Sequence, residues 1–327
     1  VAAAEREVGV AIANYNSGPL LARCLASLES SAGRLVLDPV VLDSRSTDDS
    51  LEQAARVCPR VRIYQTGPDP GFAVATNQAV FHAGGRFVLI LNTDCFLQPG
   101  LERMVSIMRA RADIAAVGPR LYNPDGTFQP SCGHVPEPRT VLRHYFPLTR
   151  LFPAHGGSNP YLLDPVTIQR PRTVGWIMGA CMLVRRHAWE LTEGLDEGFY
   201  LYSEEVDWCR RAADEGWKIV YFPPTGAVHI GGGSTRGEGA LQRRLPYEHE
   251  KSLLRLMWKM RGTRATNSLR LVQATSVVLG LVAHGIAVGA GRETCAQWRK
   301  RLGVTRRILG LVLRYRPDGP EVRARNG

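Results

Sequence analysis

An α/β protein built on a mostly parallel sheet is the fold class this sequence predicts, and three observations point to it. Short apolar runs alternate with amphipathic stretches through residues 8–118, two of those runs end in acidic or amide residues, and no internal repeat breaks the order. Strands alternating with helices pair in parallel, and such sheets place ligand chemistry at the C-terminal ends of their strands.

Each element has its own warrant. Val8–Ala13, Pro39–Asp43, Val61–Gln65, Phe87–Leu91 and Ile114–Gly118 are short apolar runs of strand length. Pro19–Ser30, Asp48–Val57, Gly71–Ala83 and Leu101–Arg111 lie between them with apolar residues at helical spacing. Ser46, Thr47 or Asp48 suits the cap of the second helix. Pro119–Arg172 then carries ten prolines, which predicts a loop or hairpin excursion of the kind that covers a binding site. Thr173–Arg186 returns to apolar, strand-like sequence. Ser203–Glu215 reads as a helix with Val206, Cys209 and Ala213 on its buried side. Lys218–Phe222 and Ala227–Ile230 read as short strands, and Gly231-Gly232-Gly233 ends the sheet. The expected division is a catalytic domain over 1–234 and a basic helical extension over 235–327.

Composition narrows the function classes. With 327 residues, 44% hydrophobic and 22% charged, the chain is long enough to bury a full core. Its seven cysteines are scattered and never spaced as Cys-x-x-Cys, which argues against a disulfide framework or a zinc site. Val1–Val8 offers no apolar run of signal-peptide length, so the expectation is a cytoplasmic protein. The net charge of +11 is uneven: from Ala240 onward 18 Lys/Arg face 5 Asp/Glu, and the remainder carries 23 against 25. A tail this basic predicts an anionic partner. Few aromatics interleave the charges beyond Trp258, Trp298 and Tyr315, so an anionic membrane surface is expected and no nucleic acid. Leu269–Ala290 has one charge, Arg270, and leaves three readings open: a membrane span, an interfacial or re-entrant helix, or a buried helix pair.

Four clusters carry chemistry. Asn92-Thr93-Asp94 follows the fourth strand, where a carboxylate can hold a divalent metal that takes up the charge of a departing diphosphate. Taken alone, such a turn is more often a capping carboxylate. Asp43 ends the second strand and is placed to accept from the N–H of a pyrimidine base, with Tyr15, after Ala13 and Asn14 on the first strand, placed to stack on it. Glu204, Glu205 and Asp207 crowd one helix start, which either complements the helix dipole or supplies a general base of raised pKa. His229 closes an apolar strand before three glycines and could complete a metal shell begun by Asp94.

In this order the clusters resemble glycosyltransferase family 2, of GT-A fold, and most closely its bacterial rhamnosyltransferase-like members. The matching stretches are Val10–Ser17, Val41–Asp48, Gly71–Asn77, Leu89–Asp94, Gly179–Arg186, Phe199–Cys209 and Val228–Ser234. The resemblance implies inverting transfer from a nucleoside-diphosphate sugar, a dTDP- or UDP-sugar, to a glycan or polyprenyl-linked glycan at the inner face of the plasma membrane. It implies that Asp94 and His229 bind Mg2+ or Mn2+. Ala13, Tyr15, Asp43, Asn77 and Asn92 would line the donor site, with Asn77 either contacting the nucleotide or bracing the site. The Gly179-Ala180 turn would lie beside sugar and acceptor, and Glu205 would be the base. The family usually has Asp where Glu205 stands, and Asp-Asn-Ala-Ser-Thr-Asp where this chain has Asp43-Ser44-Arg45-Ser46-Thr47-Asp48.

Other classes fit less well. Asn14-Tyr15-Asn16-Ser17-Gly18 stands where a dinucleotide-binding dehydrogenase needs Gly-x-Gly-x-x-Gly, and no Gly-rich, basic phosphate loop of a sugar nucleotidyltransferase is visible. A catalytically inactive glycan- or nucleotide-binding relative is the remaining rival.

Overall fold

The computed structural model describes residues 7–68, 70–137, 140–141, 162–164, 168–231, 240–289 and 294–317. Strand β1 (Val8–Asn14) lies inside the sheet, with Val8, Val10 and Ile12 fully buried. It pairs in parallel with β2 (Leu37–Asp43) and β4 (Phe87–Leu91), and β2 pairs in parallel with β3 (Arg62–Gln65). This half is the expected parallel sheet, and its near-continuous apolar strands are what burial on both faces requires.

The other half is mixed. Strand β6 (Ile114–Tyr122) and β11 (Cys181–Arg185) pair antiparallel, and β11 also pairs antiparallel with β4. The long β12 (Lys218–His229) runs parallel to β6 and antiparallel to the short β5 (Cys95–Leu97). The order is β3-β2-β1-β4-β11-β6-β12-β5. Two strands expected separately over 218–222 and 227–230 are one, irregular between Phe222 and Gly226, where Pro223 and Pro224 cannot donate to a ladder. The strand expected to end at Gly118 runs on to Tyr122.

Helices α1 (Pro19–Ser31), α2 (Ser50–Val57), α3 (Phe72–His82) and α4 (Leu101–Ala110) connect the first strands. Proline opens α1, where its missing N–H would have no intrahelical partner. Leu21, Leu25 and Leu28 follow at helical spacing and are buried. Arg185 is buried and donates to three carbonyls, those of Ile114 (2.9 Å), Met108 (2.7 Å) and Arg111 (2.9 Å), which ties the end of α4 to the sheet.

After the short helix α5 (Arg186–Leu191) comes α6 (Glu204–Asp214), the acidic helix. Its buried face is Val206, Trp208, Cys209 and Ala212; Ala213, expected inside, is exposed. Trp208 explains the shift: fully buried, it sets the helix phase, and Ala212 one turn on shares its face. Of the Pro-rich stretch, residues 138–139, 142–161 and 165–167 lie outside the described residues, and with them most of the expected lid. The described part holds strand β7 (Phe128–Gln129), paired with β6, and β8 (Cys132–Gly133), paired with β10 (Trp176–Ile177); β9 (Arg172–Val174), before β10, pairs antiparallel with β12.

The chain forms two compact units. One comprises 1–135, 162–200 and 204–242; the other comprises 136–161, 201–203 and 243–327. Within the second, helix α7 (Ala240–Gly289) breaks at Gly262, whose φ of 73° no regular helix tolerates. Helix α8 (Cys295–Arg314) follows. Leu253, Leu254, Met257 and Leu269 form a small core here. Beyond it, Leu271, Val278, Leu279, Val282 and Ile286 are exposed. No helix among the described residues is long and apolar enough to cross a membrane.

Candidate active site

Asp94 and His229 are brought together by the β5–β12 pairing. Register places His229 opposite Cys95, and the Ile230 N–H donates to the Asp94 carbonyl at 3.0 Å. Both side chains are nearly buried, and His229 Nε2 stands 3.4 Å from Asp94 Oδ1. On its other edge, His229 Nδ1 is 2.8 Å from Gln129 Oε1. One carboxylate oxygen and one imidazole nitrogen form a donor pair suited to Mn2+ or Mg2+. Among the described residues no group of three or more His, Cys, Asp and Glu side chains could hold a metal. A cation here would take two protein ligands and leave its other positions to phosphate oxygens or water.

Asn92, two residues before Asp94, keeps its side-chain Oδ1 buried without a partner. Its backbone N–H donates to the Ala180 carbonyl at 3.0 Å, so the Gly179-Ala180 turn is fastened to the Asn92–Asp94 strand end. Gly179 backs directly onto the acidic helix: a Cβ added there would stand 3.6 Å from Glu205 Cβ. These contacts connect Asn92, Ala180, Gly179 and Glu205 in turn.

The three carboxylates at the start of the acidic helix separate by environment. Asp207 is fully buried and paired to Arg211 at 2.8 Å; Arg211 also donates to the carbonyls of Thr192 and Gly194. That pair fixes the preceding turn. Glu204 is buried, and desolvation together with the neighbouring Glu205 charge drives its pKa well up. Glu205 is partly exposed, yet its Oε2 is covered and has no hydrogen-bond partner. Desolvation pushes its pKa up to about 7. A carboxyl group poised there suits general-base work near neutral pH. Tyr202 and Ser203, just before the helix, have φ of 73° and 67°, a backbone conformation that side chains with a Cβ seldom adopt.

The strand ends of β1 and β2 form a second cluster. Asn14 Nδ2 donates to Asp43 Oδ1 at 2.8 Å, and Ser46 donates to both Asp43 oxygens, from its hydroxyl at 2.6 Å and its N–H at 3.0 Å. Asp43 is fully covered. Asn14 and Ser46 thus hold Asp43 in the turn, and its Oδ2, with one donor, keeps a lone pair for the N–H of a base, the role expected of it. Tyr15 is 44% exposed beside this turn, and Ala13 is partly exposed on β1.

Asn77 is engaged elsewhere. Its Oδ1 accepts from the Leu195 N–H (2.9 Å), and its Nδ2 donates to the Leu195 carbonyl (2.8 Å) and Glu197 (3.0 Å). Of its two expected roles, the geometry matches bracing the loop that leads to the acidic helix. Gly71, at the start of α3, lies against that segment too: with φ of 87°, any Cβ would meet the Tyr200 carbonyl at 2.8 Å. Of the glycines after His229, Gly232 and Gly233 lie outside the described residues.

Gln129 was not legible as a site residue. Its only signal was local: Asn123-Pro124-Asp125-Gly126 is a turn sequence flanked by short apolar stretches.

Comparison with known proteins bears on this geometry. Residues 9–166 match the family model described as Glycosyl transferase family 2. The N-acetylglucosaminyl-diphospho-decaprenol L-rhamnosyltransferase of Mycobacterium tuberculosis is 28% identical over 295 residues, 81% of this chain and 93% of that protein. Rhamnosyltransferase WbbL of Escherichia coli is 32% identical over 73 residues, 22% of this chain and 28% of that one. Among solved structures, the mannosyltransferase PcManGT from Pyrobaculum calidifontis in complex with GDP-Man and Mn2+ superposes with a TM-score of 0.53 and 17% identity, covering 94% of this chain and 86% of that chain. GalNAc-T7 with UDP, GalNAc and Mn2+ gives 0.54 and 15% identity, covering 78% of this chain and 48% of that one. This chain thus spans about half the length of the GalNAc-T7 structure. At these identities both structures speak to the fold.

Proposed function

We propose that the chain, whose residues 9–166 match the family 2 glycosyltransferase model and whose sheet is of GT-A type, is an inverting, metal-dependent glycosyltransferase. The observation that carries this reading is Glu205, a carboxylate with a covered, unpartnered oxygen, raised to about 7 and lying against the Gly179 backbone.

In the proposed reaction an acceptor hydroxyl donates its proton to Glu205 and attacks the anomeric carbon. The bond to the nucleoside diphosphate breaks on the opposite face, which inverts the configuration. Asp94 and His229 would hold Mg2+ or Mn2+, which when bound supplies charge stabilisation to the diphosphate. The fit rests on the ring's position: His229 lies between two oxygen acceptors, Gln129 Oε1 and Asp94 Oδ1. One ring nitrogen can carry a proton, and the other then meets a carboxylate across a gap that a cation would fill. Tyr15 would stack on the base beside the turn that Asp43 organises, and Asn77 would brace the loop before the acidic helix.

The donor and acceptor follow the relatives. The mycobacterial relative is named for L-rhamnosyl transfer to a diphospho-decaprenol-linked sugar, so dTDP-rhamnose is the first donor to test and a polyprenyl-linked glycan the first acceptor. Polysaccharide synthesis at the inner face of the plasma membrane is the proposed setting, with the basic second unit against anionic lipid.

The deciding experiment is a panel of dTDP-, UDP- and GDP-sugars assayed for nucleoside diphosphate release with and without Mn2+, followed by the anomeric configuration of the product. Metal-dependent release with inversion is expected. Retention of configuration would overturn the single-displacement reading, and silence with every donor would favour an inactive binding relative.

A further inference from the structure

We propose that Gln129 is a positioning residue for the cation site, held by the Asn123–Thr127 turn so that the neutral His229 ring presents its Nε2 lone pair towards Asp94. The inference rests on the reading of Asp94 and His229 as cation ligands.

The direction of each hydrogen bond follows from the acidic end of the network. Asp125 accepts from the Thr127 N–H at 2.9 Å and from the Thr127 hydroxyl at 2.6 Å. Those two bonds hold its carboxyl below the usual range, so it is ionised and acts as acceptor only. The single hydroxyl proton of Thr127 being engaged, its oxygen accepts, and the Asn123 Nδ2 donates to it at 2.9 Å. Asn123 must then turn Oδ1 to the other side, where Gln129 Nε2 donates at 3.0 Å. The same Gln129 nitrogen points its second proton at the His229 carbonyl, 3.4 Å away, which fixes the amide independently of Asn123. Only Oε1 is left to face His229 Nδ1, at 2.8 Å, and an amide oxygen cannot donate.

Nδ1 therefore carries a proton. A neutral ring has one proton to place, so Nε2 keeps its lone pair on the Asp94 side. The neutral tautomer excluded by this arrangement is the one with Nε2 protonated, which could not bind a cation through that nitrogen. The hairpin does for His229 what a carbonyl or carboxylate partner does for metal-bound histidines in general: it sets the tautomer and the ring plane.

The site is assembled from separate parts of one compact unit. Gln129 is on β7 and Asn123 follows β6, while His229 ends β12, the parallel neighbour of β6. Gly126, at φ 83°, lets the turn close so that the Asn123 N–H donates to the Thr127 carbonyl at 2.8 Å. Nothing in the proposed transfer reaction requires Gln129 to touch substrate.

The test uses the full chain and two readouts besides turnover. Histidine-15N correlation spectra with saturating Mg2+, assigned by loss of one signal in His229→Asn, should show Nδ1 protonated and Nε2 not. Titration of Mn2+ alone by electron paramagnetic resonance should show Gln129→Leu weakened about 10–100-fold. An unchanged Mn2+ affinity in Gln129→Leu, or an Nε2-protonated ring in the parent protein, overturns the inference. The parent spectrum decides even if Gln129→Leu does not fold. Undiminished Mn2+ binding in both His229→Asn and Asp94→Asn would instead remove the cation site itself, a separate failure.

Discussion

Gly179 and Glu205 are in contact: the place where a Cβ on residue 179 would stand is 3.6 Å from the Glu205 Cβ and 3.9 Å from its Cγ. Glu205 is thus walled on one side by bare backbone. Replacing Glu205 by Gln keeps the shape and removes the proton acceptor. The expected result is a fall in kcat of about 10²–10⁴-fold. Donor binding, read by titration with the nucleoside diphosphate product, should persist. Near-parental turnover would end the base assignment.

The same carboxylate sets a pH profile. Desolvation raises Glu205 to about 7, and a base works only when ionised. The rate at low substrate should rise with pH through about 7 and then level off, and Glu205→Gln should lack that rise. A flat profile in the parent enzyme from pH 5 to 9 would contradict it.

Stability should run the opposite way. Glu204 and Glu205 are both raised from 4.5 by burial, so the folded protein holds protons that the unfolded chain releases. Their contribution is complete below about pH 4.5 and is lost as pH rises through their folded values. Glu204→Gln, which stays neutral, should gain stability on the parent as pH rises from 5 to 8. Urea midpoints at the two pH values measure this, and a gain that shrinks with rising pH would have the wrong sign.

Arg185 offers a test of the scaffold. Its guanidinium serves three carbonyls from two nitrogens, a fork that a lysine ammonium cannot reproduce. Arg185→Lys and Arg185→Ala should each cost about 3 kcal/mol, because acceptors at the end of α4 lose their donors. Chemical denaturation of both variants checks it, and a loss confined to Ala would show that charge alone suffices.

For the second unit the expectation is lipid attachment. Leu271, Val278, Val282 and Ile286 are exposed along α7, and 18 Lys/Arg lie from Ala240 onward. Near an anionic surface each basic side chain contributes about 1 kcal/mol, and salt screens it. Flotation with phosphatidylserine vesicles should fall with added salt and fall again when these four residues become Ser. Equal flotation on neutral vesicles would refute the electrostatic part.

How much of the site was legible depended on how local its signals are. Asp94, His229 and Glu205 each end or begin an element, and a carboxylate or imidazole at such a boundary is visible in sequence. Asp43 was legible as a site residue, but its partners Asn14 and Ser46 were not, because the turn that buries it closes across two strands. The phase of the acidic helix was misjudged by one position at Ala213, since Trp208 outweighs a small residue in choosing the buried face.

The sequence by itself determined the alternation of strand and helix, the strand ends that carry polar residues, and the basic character of the last quarter. These follow from periodicity, side-chain type and charge, all properties of neighbouring residues. Tertiary structure decided what those residues do. It paired Asp94 with His229 through the β5–β12 register, sorted Glu205 from Glu204 and Asp207 by burial and partner, turned Asn77 to the loop at Leu195, and set Gln129 against the imidazole. The physical reason is the same in each case. Burial, raised pKa and hydrogen-bond partners come from groups that meet only when distant segments pack, and no local pattern records which segments those are.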